Sequence, residues 1–173
     1  MMDERSENLI KECVRQYDNC RYTASALHFW QKHARAWRTV FLIAPVILGG
    51  LGASQIWADL PGAGWKIAAS LCTLCAGFFP AIFKALDLDM HMEGITRSAA
   101  EFTALRDRFR QAANIGSFAP FEEFKAQFEP LMDRMDAARA AAPPSPEWCF
   151  QKAQRKIGAG DMDFDVDAAK PGT

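Results

Sequence analysis

Four groups of residues in this chain have types and spacings that suit chemistry. Cys72 and Cys75 form a C-x-x-C. Two thiols three apart on a helix can share a metal or cycle through a disulfide, but a zinc site needs a second ligand pair and a redox motif needs a βαβ setting. Neither accompanies them, so packing is the better reading. His28 and His33 are spaced at i, i+5, which does not bring two imidazoles onto one helical face. Asp87, Asp89 and His91 have cation-binding types, yet acids that follow an apolar stretch more often solvate its exit or pair with a cation such as Lys84. Asp161, Asp163, Asp165 and Asp167 alternate like the start of a calcium loop. The match ends where Val166 stands in place of the sixth-position glycine and Gly172 in place of the twelfth-position glutamate. No phosphate loop, dinucleotide fingerprint, nucleophile elbow or zincin motif occurs. The expectation is a chain without catalytic residues, cofactor or metal site.

The elements around these residues are set by two uncharged stretches, Thr39–Ala58 and Ile67–Phe83. At about 1.5 Å per helical residue they measure about 30 Å and about 25 Å, near the hydrocarbon thickness of a bilayer. Trp37, Trp57 and Trp65 stand at their ends, with Arg35 and Arg38 before the first, as interfacial anchors would. Lys66 and Lys84 close the second, and their long stems suit an interface. The expected fold class is an all-α membrane protein, a two-helix transmembrane hairpin (39–58 and 67–83) with flanking cytoplasmic helices in a small bundle.

Composition adds limits. The chain has 173 residues and a formal net charge of −1, which gives no general attraction to nucleic acid. No acidic residue lies between Asp18 and Asp59, while Arg21, Lys32, Arg35 and Arg38 precede the first stretch. The positive-inside rule then puts both termini in the cytoplasm. In that reducing compartment the five cysteines, Cys13, Cys20, Cys72, Cys75 and Cys149, are not expected to form a disulfide framework.

The flanks read as amphipathic helices. Residues 1–38 form a cytoplasmic helix leading into the membrane, with Leu9, Cys13, Cys20 and Leu27 on one face and Ile10 and Tyr17 widening it. Residues 84–157 hold the remaining cytoplasmic helices. Leu88, Ile95, Phe102 and Phe109 recur every seven residues, with Met92 and Ala99 alongside, which predicts a packing seam from about 86 to 114. Gly116 suits a stop, and Pro120 followed by Glu122 and Glu123 suits a start. The next helix carries a stripe of Phe121, Phe124, Phe128, Met132 and Met135, kinked or split by Pro130. After the run Pro143, Pro144, Ser145, Pro146 a short helix carries Trp148, Phe150 and Ile157, and residues 158–173 read as a disordered acidic tail.

Within the second stretch, Lys66, Ser70, Thr73, Gly77, Pro80 and Lys84 fall within about 40° of one line at 100° per residue, opposite Leu71, Leu74, Phe78 and Ile82. Such a stripe either lines an aqueous path or packs closely against another helix. Pro45, Gly49, Gly52 and Ala53 form a small surface on the first stretch, suited to oligomer packing. Two helices cannot enclose a pore, so a channel role would require a homo-oligomer.

The order of several segments resembles the SLATT family of two-transmembrane effectors that accompany nucleotide cyclases and nucleotide sensors in bacterial conflict systems. Those segments are CRYTASALHFWQKHARAWR (20–38), IAPVILGGLGAS (43–54), SAAEFTALRDRFRQA (98–112) and AAPPSPEWCFQKAQRKI (141–157). The resemblance covers roughly residues 8–158. It implies a pore-forming effector in the bacterial inner membrane, triggered by a separate sensor or nucleotide-signalling partner and ending in membrane permeabilisation and growth arrest. The alternative is a membrane-anchored scaffold or sensor whose cytoplasmic helices recruit partners.

Overall fold

Five helices and one 3-10 turn account for nearly all the described chain: α1 (Glu4–Ala53), α2 (Ala63–Ala85), α3 (Leu88–Asn114), the turn Gly116–Phe118, α4 (Phe121–Ala141) and α5 (Glu147–Gly158). The computed structural model describes residues 4–53, 63–85 and 88–160. Trp57, Asp87 and the alternating aspartates of the tail therefore lie outside the described residues, as does the link between the two apolar stretches. Contacts divide the chain into two units, Met1–Gln31 with Gly94–Thr173, and Lys32–Glu93.

The first unit is a helical bundle built on the stripes of α1, α3 and α4. Cys20, Ala24 and Leu27 of α1 meet Ile95, Ala99, Phe102, Leu105 and Phe109 of α3 and Met135 and Ala138 of α4. A second cluster joins Cys13, Ala112, Ala113 and Phe124. Every α3 position in these clusters follows the seven-residue repeat or its neighbours, because a straight helix turns the same face inward every three to four residues. At the end of α3, Gly116 has a steric reason to lack a side chain. A Cβ there would stand 3.3 Å from the Phe124 ring and from Gln127 Oε1, so the turn lies directly on α4.

α4 begins on Pro120, with Glu122 and Glu123 in its first turn where carboxylates complement the helix dipole. It continues through Pro130 as one helix, so of the expected kink or split the split does not occur. The proline run ends it, and α5 starts after Pro146. α5 buries Cys149, Ala153 and Ile157, with Cys149 and Ala153 against Ala26, while Trp148 is 42% exposed. Helix approach is closest where side chains are small, which suits Cys149 and Ala153 to this contact. The helix closes with Ala159 N–H donating to Arg155 O and Gly160 in a left-handed conformation at φ 78°, the usual use of glycine after a helix end.

The second unit contains the apolar half of α1 together with α2. Phe41, Ala44, Pro45, Leu48 and Gly49 are half-buried on α1, as are Cys72 and Ala76 on α2. The two helices approach at Gly49, where a Cβ would lie 3.9 Å from the Ala76 Cβ.

The transmembrane hairpin is corrected here. Among the described residues no helix is long and apolar enough to cross a membrane. The described part of α1 runs to Ala53 and rises about 22 Å beyond Arg38, and α2 offers about 25 Å between Lys66 and Lys84, against a hydrocarbon layer of roughly 30 Å. The assignments that depended on that hairpin, an inner-membrane location with cytoplasmic termini, a membrane protein and an ion channel, fall with it.

Candidate functional site

The polar stripe of α2 is the surface expected to line a pore or to pack against another helix, and its described members are all exposed. Lys66, Ser70, Thr73 and Lys84 point outward, and Gly77 has open space around it. Ser70 Oγ donates to Lys66 O at 2.9 Å, one turn back, so this hydroxyl is engaged by its own helix. The face of α2 that meets α1 is a third one, carrying Cys72 and Ala76 and lying about 100° away from the stripe. The stripe is therefore not the packing surface within the unit. Pro45 and Gly49 do face the helix pair, while the environments of Gly52 and the Ala53 and Pro80 side chains lie outside the described residues.

The proposed interfacial anchors are only partly described. Trp37 is 51% exposed. Its indole N–H donates to His33 Nε2 at 2.8 Å, and its ring tilts against Phe41 at 6.2 Å between centroids. Arg35 and Arg38 are exposed, and the Arg35 carbonyl accepts the Thr39 hydroxyl at 3.0 Å. The Trp65 side chain lies outside the described residues.

What unit 2 does present is apolar. Val40, Leu42, Ile43, Val46 and Ile47 on α1 and Ile67, Leu71, Leu74, Phe78 and Ile82 on α2 are all exposed, Val46 to 74%. The α2 group forms one stripe at i, i+4, i+7, i+11 and i+15, beside a shallow depression of about 480 Å³ lined by Lys66, Ile67, Ser70, Leu71 and Leu74. The five half-exposed side chains of each helix sum to roughly 500 Å², and because each set faces away from the helix pair they form two patches.

The first unit holds polar features that the sequence reading missed. Gln16 is buried on α1 and fully engaged: its amide N–H donates to Glu12 Oε1 at 2.7 Å, and its carbonyl accepts from Arg139 Nη2 at 3.0 Å. Arg139 also pairs with Asp136 within α4 at 3.3 Å, so its bond to Gln16 is what ties α4 to α1. The hydrogen bond from Gln16 is the main reason the Glu12 carboxyl is held below its ordinary range. Glu101 on α3 grips the Arg134 guanidinium of α4 through both oxygens, with Nη2 to Oε2 at 3.0 Å. That hydrogen bonding, with a smaller Coulombic contribution, lowers the Glu101 pKa and raises that of Arg134. His28 Nε2 lies 3.3 Å from Thr103 Oγ1. Because that hydroxyl donates to Ala99 O at 2.8 Å, the histidine is the donor. Such long-range pairs leave no periodic trace in a sequence.

The thiols are set apart by burial. Cys13 and Cys20 are fully buried, and desolvation pushes each pKa up to about 11. Cys20 lies 3.5 Å from Met135 Sδ. Burial also raises the Cys149 thiol. Cys75 is exposed and Cys72 half-buried. Among the described residues, no group of three or more histidine, cysteine or acidic side chains is placed to hold a metal ion.

Two cavities of about 570 Å³ and about 520 Å³ lie along the α3/α4 seam and share Arg134. Arg108 borders the first and Arg97 the second, and Glu101 is the one carboxylate lining either. No family model, curated protein or solved structure matches the chain.

Proposed function

We propose that this chain is a non-catalytic helical assembly module that self-associates through the apolar faces of its second unit, leaving the first unit to receive a separate partner protein. The observation that carries this reading is the set of ten large apolar side chains exposed on α1 and α2 of that unit. The occupant is a second copy because the surface is uncharged over its length and this chain supplies a matching one. Covering a half-exposed aliphatic or aromatic side chain contributes roughly 1 kcal/mol. Five on each of the two patches, covered by neighbouring copies, can then offset much of the roughly 4–15 kcal/mol cost of association. Closed symmetric assemblies bury the same patch on each copy, which fits a stripe that is its own complement.

An effector role in a conflict system, as the family resemblance implies, would use such an assembly as the state that a sensor partner promotes or blocks. Light scattering of the full chain against its Leu71→Glu, Phe78→Glu variant tests the reading. The expected result is an assembly for the parent chain and a monomer for the variant. A parent chain that is monomeric, or a variant that assembles equally well, overturns it.

A further inference from the structure

Both cavities on the α3/α4 seam are lined wholly from residues 94–141, and among the described residues no other element borders them. Together they make a groove along which Arg97, Arg134 and Arg108 are exposed, with Glu101, bound to Arg134, as its single acid. The lining charge is 3 − 1 = +2. Because the Glu101–Arg134 pair is neutral, the excess rests on Arg97 and Arg108. Neither belongs to an ion pair among the described residues. Arg108 makes only a long hydrogen bond to Gln111 at 3.5 Å, and Arg97 acts on Glu101 through space, as the smallest influence on that carboxyl. Gly94, Ala137 and Ala141 line one end of the groove and Ala112 and Leu131 the other. A Cβ on Gly94 would meet nothing within 4 Å, and side chains this small let a third helix lie close to two others.

We infer that this groove receives an acidic amphipathic helix of a partner protein, carrying two carboxylates eleven residues apart on its inward face. Arg97 and Arg108 are themselves eleven residues apart. That is about three helical turns, so they lie within about 20° of one line on α3 and about 16 Å apart along it. A helix laid along the groove meets both only if its acids repeat that rise. At the intervening turns it needs small or aliphatic side chains, which sit on the alanine and leucine lining. A helical guest is favoured over an extended one because the backbone groups of α3 and α4 are consumed within those helices. An extended guest would find no sheet edge to pair with and would leave its own backbone unsatisfied. This names the kind of partner that the first unit receives in the proposed function. Peptide binding reads the groove alone and light scattering reads self-association, so either can fail without the other.

Fluorescence anisotropy of labelled helical peptides, titrated with the full chain, tests this. The probe has about 22 residues, matching the roughly 31 Å from Gly94 to Ile115. On an alanine and glutamine background it carries glutamate at i and i+11 and leucine at i+4 and i+7. In the control peptide the second glutamate and the leucine at i+7 change places. Composition, charge and helical face are kept, but the acids come to within about 10 Å of each other. The first peptide is expected to bind saturably, one per chain, and the control about threefold more weakly or worse. Arg97→Glu with Arg108→Glu is expected to cost at least tenfold, since attraction becomes repulsion at two places. A peptide with lysines in place of both glutamates is expected to recover binding to that variant, which a misfolded chain would not allow. If circular dichroism shows that the variant has lost its helices, Arg108→Gln alone serves, with an expected loss of about threefold or more. Leu71→Glu with Phe78→Glu should leave peptide binding unchanged. Absence of saturable binding, equal binding of the two peptides, or indifference to the arginines overturns the inference. So does displacement of the peptide by inorganic phosphate at constant ionic strength, the mark of a small-anion site.

Discussion

Replacing Phe109 by alanine probes the first unit at its most demanding point. The ring is fully buried and packs edge-on to Phe128, with centroids 6.2 Å apart and planes at 63°. Its removal forfeits transfer free energy and leaves a cavity between α3 and α4, together costing about 3–5 kcal/mol. The lost ring pair accounts for about 0.5–1.5 kcal/mol of that. For a unit of roughly 100 residues, each kcal/mol moves the melting point by about 4–8 °C, so a fall of roughly 15–30 °C is expected. Phe118→Ala is the internal control: that ring is 88% exposed, and its loss should change stability by no more than about 0.5 kcal/mol. Urea unfolding followed by far-ultraviolet circular dichroism measures both. If Phe109→Ala shifts the midpoint no more than Phe118→Ala does, α3 does not pack as described.

The thiols should separate by reactivity. At pH 8 a maleimide is expected to label Cys75 rapidly in the Leu71→Glu, Phe78→Glu variant, more slowly in the assembled parent, and to spare Cys13 and Cys20 until the chain is unfolded, as peptide mass mapping would show. The same two thiols impose an alkaline limit. Their folded pKa values exceed the unfolded one, so the folded state holds protons that the unfolded state loses, and stability is expected to decline as pH rises from about 9 towards 11. Glu12 and Glu101 act in the opposite direction. Their folded pKa values are depressed, so their stabilisation is present above the ordinary carboxylate range and lost as pH falls through the folded values. Glu101→Gln should cost at most about 1 kcal/mol at pH 7 and nothing at pH 2, read from urea midpoints. Ala153→Leu should force α5 away from Ala26 at a cost of about 1–3 kcal/mol, detected as faster proteolysis in the loop 142–146.

The parts of the fold that were legible in the sequence are those encoded by local repetition. The seven-residue spacing of Ile95, Phe102 and Phe109 marks the face of α3 that is buried, and the Pro120 and Pro146 signals mark the starts of α4 and α5. Long-range polar pairing was not legible, because Gln16 and Arg139 or Glu101 and Arg134 meet only once the bundle is assembled. The contact face of α5 was not legible, because the small residues Cys149 and Ala153 that meet Ala26 carry no size signal. The hairpin was misread through extent. The first apolar stretch was carried to Ala58, five residues past the described extent of α1, and among the described residues no helix meets a spanning requirement that is one of length as much as composition. The polar stripe is a pattern of one helix, and such a pattern does not say whether a neighbour covers it; its described members are exposed.

Sedimentation equilibrium of the full chain across a hundredfold concentration range tests self-association through the second unit most directly. A mass that rises with concentration to a fixed integer multiple of the chain mass, and that Leu71→Glu with Phe78→Glu returns to a single copy, is the expected result. A single-copy mass at every concentration, with Leu71, Leu74 and Phe78 unchanged, would contradict it.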